Sequence, residues 1–249
     1  MKKILVPTDF SDQAENALKV AVQLARAHNA EIYLLHIIEI PLHEVDAMSS
    51  HSDLPEAMFF MKLAHKKFEN ILSKDYLQDV KVYETVDFHE IFKGVFHNCT
   101  KHNIDLVIMG SNGVSGLKEM LIGSNTEKIV RTSKTPVLVV KKEHETFNVD
   151  NFVFASDFKD ESKATYKKAI EFANILGSKI HLLTVNTPNK FMTSELANER
   201  MLRFANSSKF SNYTMNIYND MTIEKGIMNV SQSIKAELMG MSTHGRQGI

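Results

Sequence analysis

The segment MGSNGVSGLKEMLIGSN, residues 109–125, sets four small residues at fixed spacing: Gly110, Gly113, Gly123 and Ser124. The apolar run Leu106-Val107-Ile108-Met109 leads into it and reads as a buried strand. A helical stretch, Pro136 and a second apolar run, Val137-Leu138-Val139-Val140, come after it. Glycines at a strand-to-helix junction leave backbone N–H groups bare and allow positive φ. Such N–H groups beside a helix N-terminus suit a phosphate. Ser124 with Glu127 three residues on reads as a capping box, starting a helix directly after Gly123. The plainer reading is that the glycines only make tight turns. Two other phosphate loops are excluded: no G-x4-G-K-[ST] occurs, and Gly110, Gly113 and Gly116 lack the G-x-G-x-x-G spacing.

Upstream of this segment, apolar runs alternate with helical patterns. Lys3 to Val6 predicts a first strand, broken by Pro7-Thr8-Asp9. Ser11 then caps a helix with Ala14, Ala17, Leu18, Ala21, Leu24 and Ala25 at helical spacing, ended by Asn29-Ala30. Residues 32–38 predict a second strand, parallel to the first. Residues 39–55 read as a loop in which His43 and His51 show no convincing metal spacing. Residues 58–72 predict an amphipathic helix with Phe59, Leu63, Phe68 and Leu72 inward. A third strand over 80–86 and a helix over 90–101, with Ile91, Val95, Phe96 and Cys99 inward, complete the approach to the glycine segment. Strand–helix alternation of this kind predicts an α/β fold: a doubly wound, mostly parallel five-stranded sheet with helices on both faces. Ligands bind such sheets beyond the carboxyl ends of the strands, at the switch in strand order. Asp9, Ile37 and Gly110 all fall at that edge.

The pattern then repeats. Residues 152–183 lie over residues 4–35 at an offset of 148, placing Asp157-Phe158 on Asp9-Phe10. Residues 236–248 lie over 104–116 at an offset of 132, so the second unit is shorter in its middle by 16 residues. The expected domains are 1–142, complete, and 150–249, degenerate and incomplete, joined by the charged stretch 141–150. In the second unit Ser242 replaces the first glycine, and the sequence given stops at Ile249, level with Leu117. Nothing in it matches Gly123-Ser124 or the fifth strand.

Length allows one large or two ordinary domains, and 43% hydrophobic content allows a sizeable core. A net charge of −1 gives no basic footprint for nucleic acid. The single cysteine, Cys99, excludes an internal disulfide and fits a reducing cytoplasm. No apolar run approaches a membrane span, and MKKILVPTDF lacks the apolar core of a signal peptide. The expectation is a cytoplasmic protein with no nucleic-acid or membrane partner.

The skeleton G-x2-G-x9-G-[ST] resembles the ATP-binding loop of the universal stress protein family. The resemblance spans nearly the whole chain, as a tandem pair with an incomplete second member. It implies a Rossmann-like fold of the adenine nucleotide α-hydrolase kind and ATP as ligand, with Mg²⁺ possible. It implies adenine contacts at Pro7, Thr8, Asp9 and Ile37, with Met109 leading into the loop. It implies phosphate and ribose contacts at Gly110, Gly113, Gly123 and Ser124, with Ser111, Asn112, Asn125 and Thr126 nearby. One departure stands out: where the family often has Gly-x-Pro between strand three and its helix, this chain has Asp87-Phe88-His89.

Each of these residues also has a plainer reading. Asp9 accepts from the base or ribose, meets Mg²⁺, or is a helix N-terminal charge. Ile37 and Met109 sandwich a base or are core. Ser124 binds phosphate, caps its helix, or does both. No lysine, arginine pair or base is evident beside the glycines except Lys118 within the loop, and His36 inside a strand reads as a satisfied core histidine. The expected function is therefore an ATP-binding stress-response regulatory module in which hydrolysis is slow or absent. The rival is a scaffold that binds no nucleotide and signals by protein contact. An adenylyltransferase on the related fold would carry His-x-Gly-His and a pyrophosphatase-type relative Ser-Gly-Gly-x-Asp-Ser, and neither occurs. Family members often pair through the fifth strand, which implies a homodimer through Val137–Val140.

Overall fold

Alternate residues of the first strand bury in opposite directions, Leu5 to one face of the sheet and Ile4 and Val6 to the other. A computed structural model describes residues 1–39, 53–111 and 123–241. The first unit runs β1 (Lys3–Pro7), α1 (Asp12–His28), β2 (Glu31–Ile37), α2 (Asp53–Leu72), β3 (Val82–Asp87), α3 (Ile91–His102), β4 (Leu106–Gly110), α4 (Ser124–Thr132) and β5 (Val137–Val140). Its sheet has the order β3-β2-β1-β4-β5, with every neighbouring pair parallel. The order reverses between β1 and β4, which is where a crevice opens in such a sheet.

The helices form where the apolar period is 3.6. Ser11 accepts the Ala14 N–H at 3.3 Å and caps α1, and Asn29 ends it in the left-handed region at φ 50°. Ala17, Leu18 and Ala21 of α1 are buried, with the helix packed over β1 and β4. On the other face Val95 and Cys99 of α3 and Ile129 of α4 close a core on Leu5, Leu35, Val107 and Met109. Each leucine or isoleucine so buried contributes roughly 2 kcal/mol.

Helix α2 departs from its reading. Phe68 is buried, but Phe59 is 64% exposed and Leu63 43% exposed. The buried stripe is Ala64, Phe68 and Ile71. The step of five residues from Leu63 to Phe68 turns the helix by about 140°, so the two pairs face different ways.

The second unit contains β6 (Asn151–Ala155), α5 (Lys163–Leu176), β7 (Lys179–Asn186), α6 (Ser194–Ala205), β8 (Tyr213–Asn219), α7 (Ile223–Ser233) and β9 (Leu238–Met241). Its parallel sheet has the order β8-β7-β6-β9, matching the first four strands of unit one. Strand register reproduces the repeat: Ile4 pairs with Leu106, and Phe152 with Leu238. The shortening falls between the second and third strands of the unit, since Ile32 pairs with Val82 but Ile180 with Tyr213. Backbone conformation repeats as well. Among the described residues those with positive φ are Phe10 and Phe158, Asn29 and Gly177, Asn103 and Lys235, three pairs at equivalent positions.

The division between units falls between Phe147 and Asn148. Residues ahead of it are fastened to α1. The Phe147 N–H donates to Gln23 Oε1 at 2.6 Å, Gln23 Nε2 donates to the His144 carbonyl at 3.2 Å, and Lys19 pairs with Glu143.

Candidate functional site

Beyond the carboxyl ends of β1, β2 and β4 lies a cleft of about 320 Å³. Pro7 of β1 with Thr8 and Asp9 just past it, Ile37 of β2, and Met109 and Gly110 of β4 with Ser111 just past it belong to its lining. Gly123, Ser124, Asn125 and Thr126 enter from the start of α4. Asn112 and Gly113 lie outside the described residues, as do His43 and His51.

The β1 side is a tight turn. Phe10 takes φ 67°, and the Thr8 hydroxyl holds it there by accepting the Phe10 N–H at 2.9 Å. Asp9 Oδ1 accepts from the Ser11 N–H at 3.0 Å and from the Ser11 hydroxyl at 2.5 Å. Burial acts to raise the Asp9 carboxyl, but these bonds outweigh it and hold it below the usual carboxylate range. The same turn recurs in unit two, where Ser156 accepts the Phe158 N–H at 3.0 Å and Asp157 the Lys159 N–H at 3.3 Å. One oxygen of Asp9 therefore serves the turn.

His36 is a structural residue. Its Nδ1–H donates to the Thr8 carbonyl at 2.8 Å, and burial lowers its pKa. Thr184 holds the equivalent position in unit two and makes the equivalent bond to the Ser156 carbonyl at 3.4 Å. A threonine doing the same work leaves no proton-transfer role implied for the imidazole.

On the β4 side, Gly110 is needed for the approach of α1. A Cβ there would lie 2.3 Å from the Gln13 carbonyl oxygen. Thr126 donates its hydroxyl to the Gly110 carbonyl at 3.4 Å and ties the start of α4 to the strand end. The Ser111 N–H donates to the Val140 carbonyl at 3.1 Å, while its hydroxyl, on a residue 3% exposed, has no partner among the described residues. The expected capping box is not formed. Gly123 is the N-cap, and its carbonyl accepts the Glu127 N–H at 2.8 Å. An N-cap residue must have non-helical backbone while its carbonyl accepts the first helical bond, and Gly123 meets both conditions. Ser124 is thus the first helical residue, and the Glu127 carboxylate pairs with Arg131 at 3.1 Å instead.

Met109 and Ile37 belong to the core on α3 and also line the floor of the cleft. Ser11, Gln13, Ala14, Leu35, His36 and Ile91 also line the cleft and were not expected from the sequence. The signal for Ser11 and Gln13 was present, because a helix capped directly after β1 must start at this edge. Two helix N-termini thus meet the cleft, and no Lys or Arg lines it among the described residues. An anion there would be held by backbone N–H groups rather than by cationic side chains. No group of three or more His, Cys, Asp or Glu among the described residues is placed to hold a metal ion. No helix among them is long and apolar enough to cross a membrane.

The sequence model of the universal stress protein family matches residues 1–141. Universal stress protein MJ0577 of Methanocaldococcus jannaschii is 36% identical over 158 residues, covering 57% of this chain and 96% of the relative. Universal stress protein MJ0531 of the same organism is 32% identical over 150 residues, covering 57% and 82%. A solved universal stress protein from Archaeoglobus fulgidus superposes with a TM-score of 0.66 over 98% of this chain and 86% of that one. At 21% identity that likeness is one of fold, and it spans both units.

Proposed function

The chain belongs to the universal stress protein family, and on that premise we propose that its first unit binds an adenine nucleotide, ATP in the first instance, in the cleft between β1 and β4. The observation that carries this reading is the start of α4. Gly123 to Thr126 enter a cleft whose lining also includes the apolar side chains of Ile37, Ile91 and Met109. A nucleotide has that same polarity. Its phosphates would take the free N–H groups of the first turn of α4, as anions do at helix N-termini. Its base would lie against those apolar side chains. The unpartnered Ser111 hydroxyl supplies one further donor at the polar side. The cleft volume is within the range of small-molecule sites, roughly 300–1,000 Å³. Asp9 is the carboxylate that would meet an accompanying Mg²⁺.

Hydrolysis is slow or absent on this reading, because the described lining offers no lysine or arginine toward a terminal phosphate. The protein then acts as a cytoplasmic stress-response module that nucleotide shifts between arrangements. It forms a homodimer through β5, the edge strand of the first sheet.

Calorimetric titration of ATP with Mg²⁺, repeated on Gly113→Ala, tests the reading. Saturable binding near one per chain, abolished by the added Cβ, is expected. No heat, and no nucleotide released from the purified protein on denaturation, overturns it in favour of a scaffold acting by protein contact. Light scattering that gives a strict monomer overturns the dimer.

A further inference from the structure

In unit two a histidine ties three strands together. His181 lies in β7 and is 8% exposed. Its Nε2 meets Asn151 Oδ1, at the start of β6, at 3.1 Å. Its Nδ1 meets the Thr214 hydroxyl of β8 at 2.8 Å. The partners place the protons. Asn151 Oδ1 can only accept, so the proton of the neutral ring sits on Nε2 and Nδ1 is bare. The Thr214 hydroxyl then donates to Nδ1. Its oxygen in turn accepts Asn216 Nδ2 at 3.2 Å, which also donates to the Leu182 carbonyl at 3.2 Å. The neutral imidazole satisfies every bond in the row.

The surroundings oppose a second proton. Protonation makes both ring nitrogens donors, so the Thr214 hydroxyl must turn its hydrogen away from Nδ1. Neither ring nitrogen has a carboxylate partner to receive the charge. The face is otherwise apolar. His181 is paired with Val153 in the register and lies two residues from Leu183, and both of these pack with Ile227 and Val230 of α7. Burial lowers the pKa of His181. Two charges act on the ring in opposite senses. Lys179 also lowers it, and Glu237, whose Oε2 accepts the Asn151 N–H at 2.8 Å, raises it.

Unit one does without this device. The equivalent residue is Tyr33, whose ring lies 5.0 Å from that of Tyr83 and 4.5 Å from that of His102, centroid to centroid. Tyr83 stands opposite Tyr33 as Thr214 stands opposite His181. Ring contact in unit one thus takes the place of ring hydrogen bonds in unit two. His181 is the only histidine among the described residues of unit two. β8 is an edge strand, paired with β7 alone among the described strands. We propose that His181 is a pH-sensitive latch: its protonation releases Thr214 and loosens β8 from the sheet of unit two. The latch is independent of whether unit one binds a nucleotide.

Its pH sense follows from the lowered folded-state value. The opened chain binds the proton more readily than the closed one. The latch is therefore fully closed above the ordinary imidazole value, about 6.5, and weakens as pH falls below it. The opening equilibrium rises by up to about tenfold per pH unit until the folded-state value is reached.

The test is amide exchange of the full chain from pH 8 to about pH 5.5, corrected for the intrinsic pH dependence of exchange and read over Tyr213–Asn219. The His181 ring is titrated by NMR on the same sample. Protection of β8 is expected to fall several-fold across this span, at the pH where the ring takes up its proton and below the ordinary imidazole value. His181→Gln keeps one donor and one acceptor but cannot ionise, and its β8 protection is expected to stay flat. Flat protection in wild type overturns the latch, as does a loss that persists in His181→Gln. Should His181→Gln fail to fold, wild type still decides: a ring that protonates with no response in β8, or that titrates at or above the ordinary value, overturns the proposal.

Discussion

The α-carbon of Gly110 rests against the backbone of Gln13, so closely that an added methyl would lie 2.3 Å from the Gln13 carbonyl oxygen and 2.6 Å from its carbon. Gly123, in the same motif, has nothing among the described residues within 4 Å of a built Cβ and an ordinary φ of −54°. The two glycines therefore have separable roles. Gly110→Ala forces α1 away from β4 and is expected to destabilise by about 3 kcal/mol. Gly123→Ala loses only the N-cap advantage of glycine, about 0.5 kcal/mol. Urea midpoints of the two variants check this, and equal shifts would refute the packing role of Gly110.

Most of the strand and helix order was legible because it is written locally. Ser11, Leu18 and Asn29 announce α1 by cap, period and C-terminal turn. The constant offset from Asp9-Phe10 to Asp157-Phe158 announced the repeat. What was not legible depends on contacts across the sheet. Gly110 can be seen to permit close approach, but not that the backbone of α1 makes that approach. Asp87 and Asn98 are eleven residues apart, and only the closed turn from β3 into α3 brings them together. Phe59 and Leu63 satisfy a helical period, yet which side of α2 meets the sheet is decided by Ala64, Phe68 and Ile71.

Lys235 follows α7 at φ 54°, where the equivalent residue of unit one is Asn103 at φ 53°. Left-handed backbone costs a residue with Cβ about 1 kcal/mol, and asparagine offsets part of this by local bonding. The bond this turn makes, from the Lys235 N–H to the Gln232 carbonyl at 3.1 Å, uses backbone alone. Lys235→Gly should therefore stabilise unit two by about 1 kcal/mol. The reverse applies at Gly177, φ 69°, where Gly177→Ala should destabilise although the space around it is open. Thermal melts of both variants decide the matter.

Burial works to raise the Asp87 carboxyl, but the bonds from His89 and Asn98 hold it below its ordinary range, so its contribution to stability has a definite pH sense. A depressed folded-state value means more protons bind the unfolded chain on acidification. The stabilisation is present above the ordinary carboxylate range and is lost as pH falls through the folded value. Asp9 and Glu15 are lowered as well, so only a difference against a variant isolates Asp87. The stability gap between wild type and Asp87→Asn should be wide at pH 7 and narrow near pH 3. Asn98→Ala should cost about 2 kcal/mol at pH 7, because it leaves a buried carboxylate short of a donor. A gap that does not change with pH would mean that Asp87 is not held ionised by this network.

Cys99 lies in the apolar core of unit one with Leu35, Val95 and Val107, and burial pushes its thiol up to about 11 despite a hydrogen bond with Thr135. The thiolate is the nucleophile, and at pH 8 a thiol with this value is ionised to about one part in a thousand. Reagent must also reach it through packed side chains. Native protein should accordingly resist a thiol-exchange reagent at pH 8 and react stoichiometrically once denaturant is added. Residual slow labelling would measure opening of α3 from the sheet, and its rate should rise in Gly110→Ala if loss of the α1–β4 contact loosens the same unit. Rapid labelling of the native chain would place Cys99 outside the core and remove α3 from the wall that Ile37 and Met109 share with it.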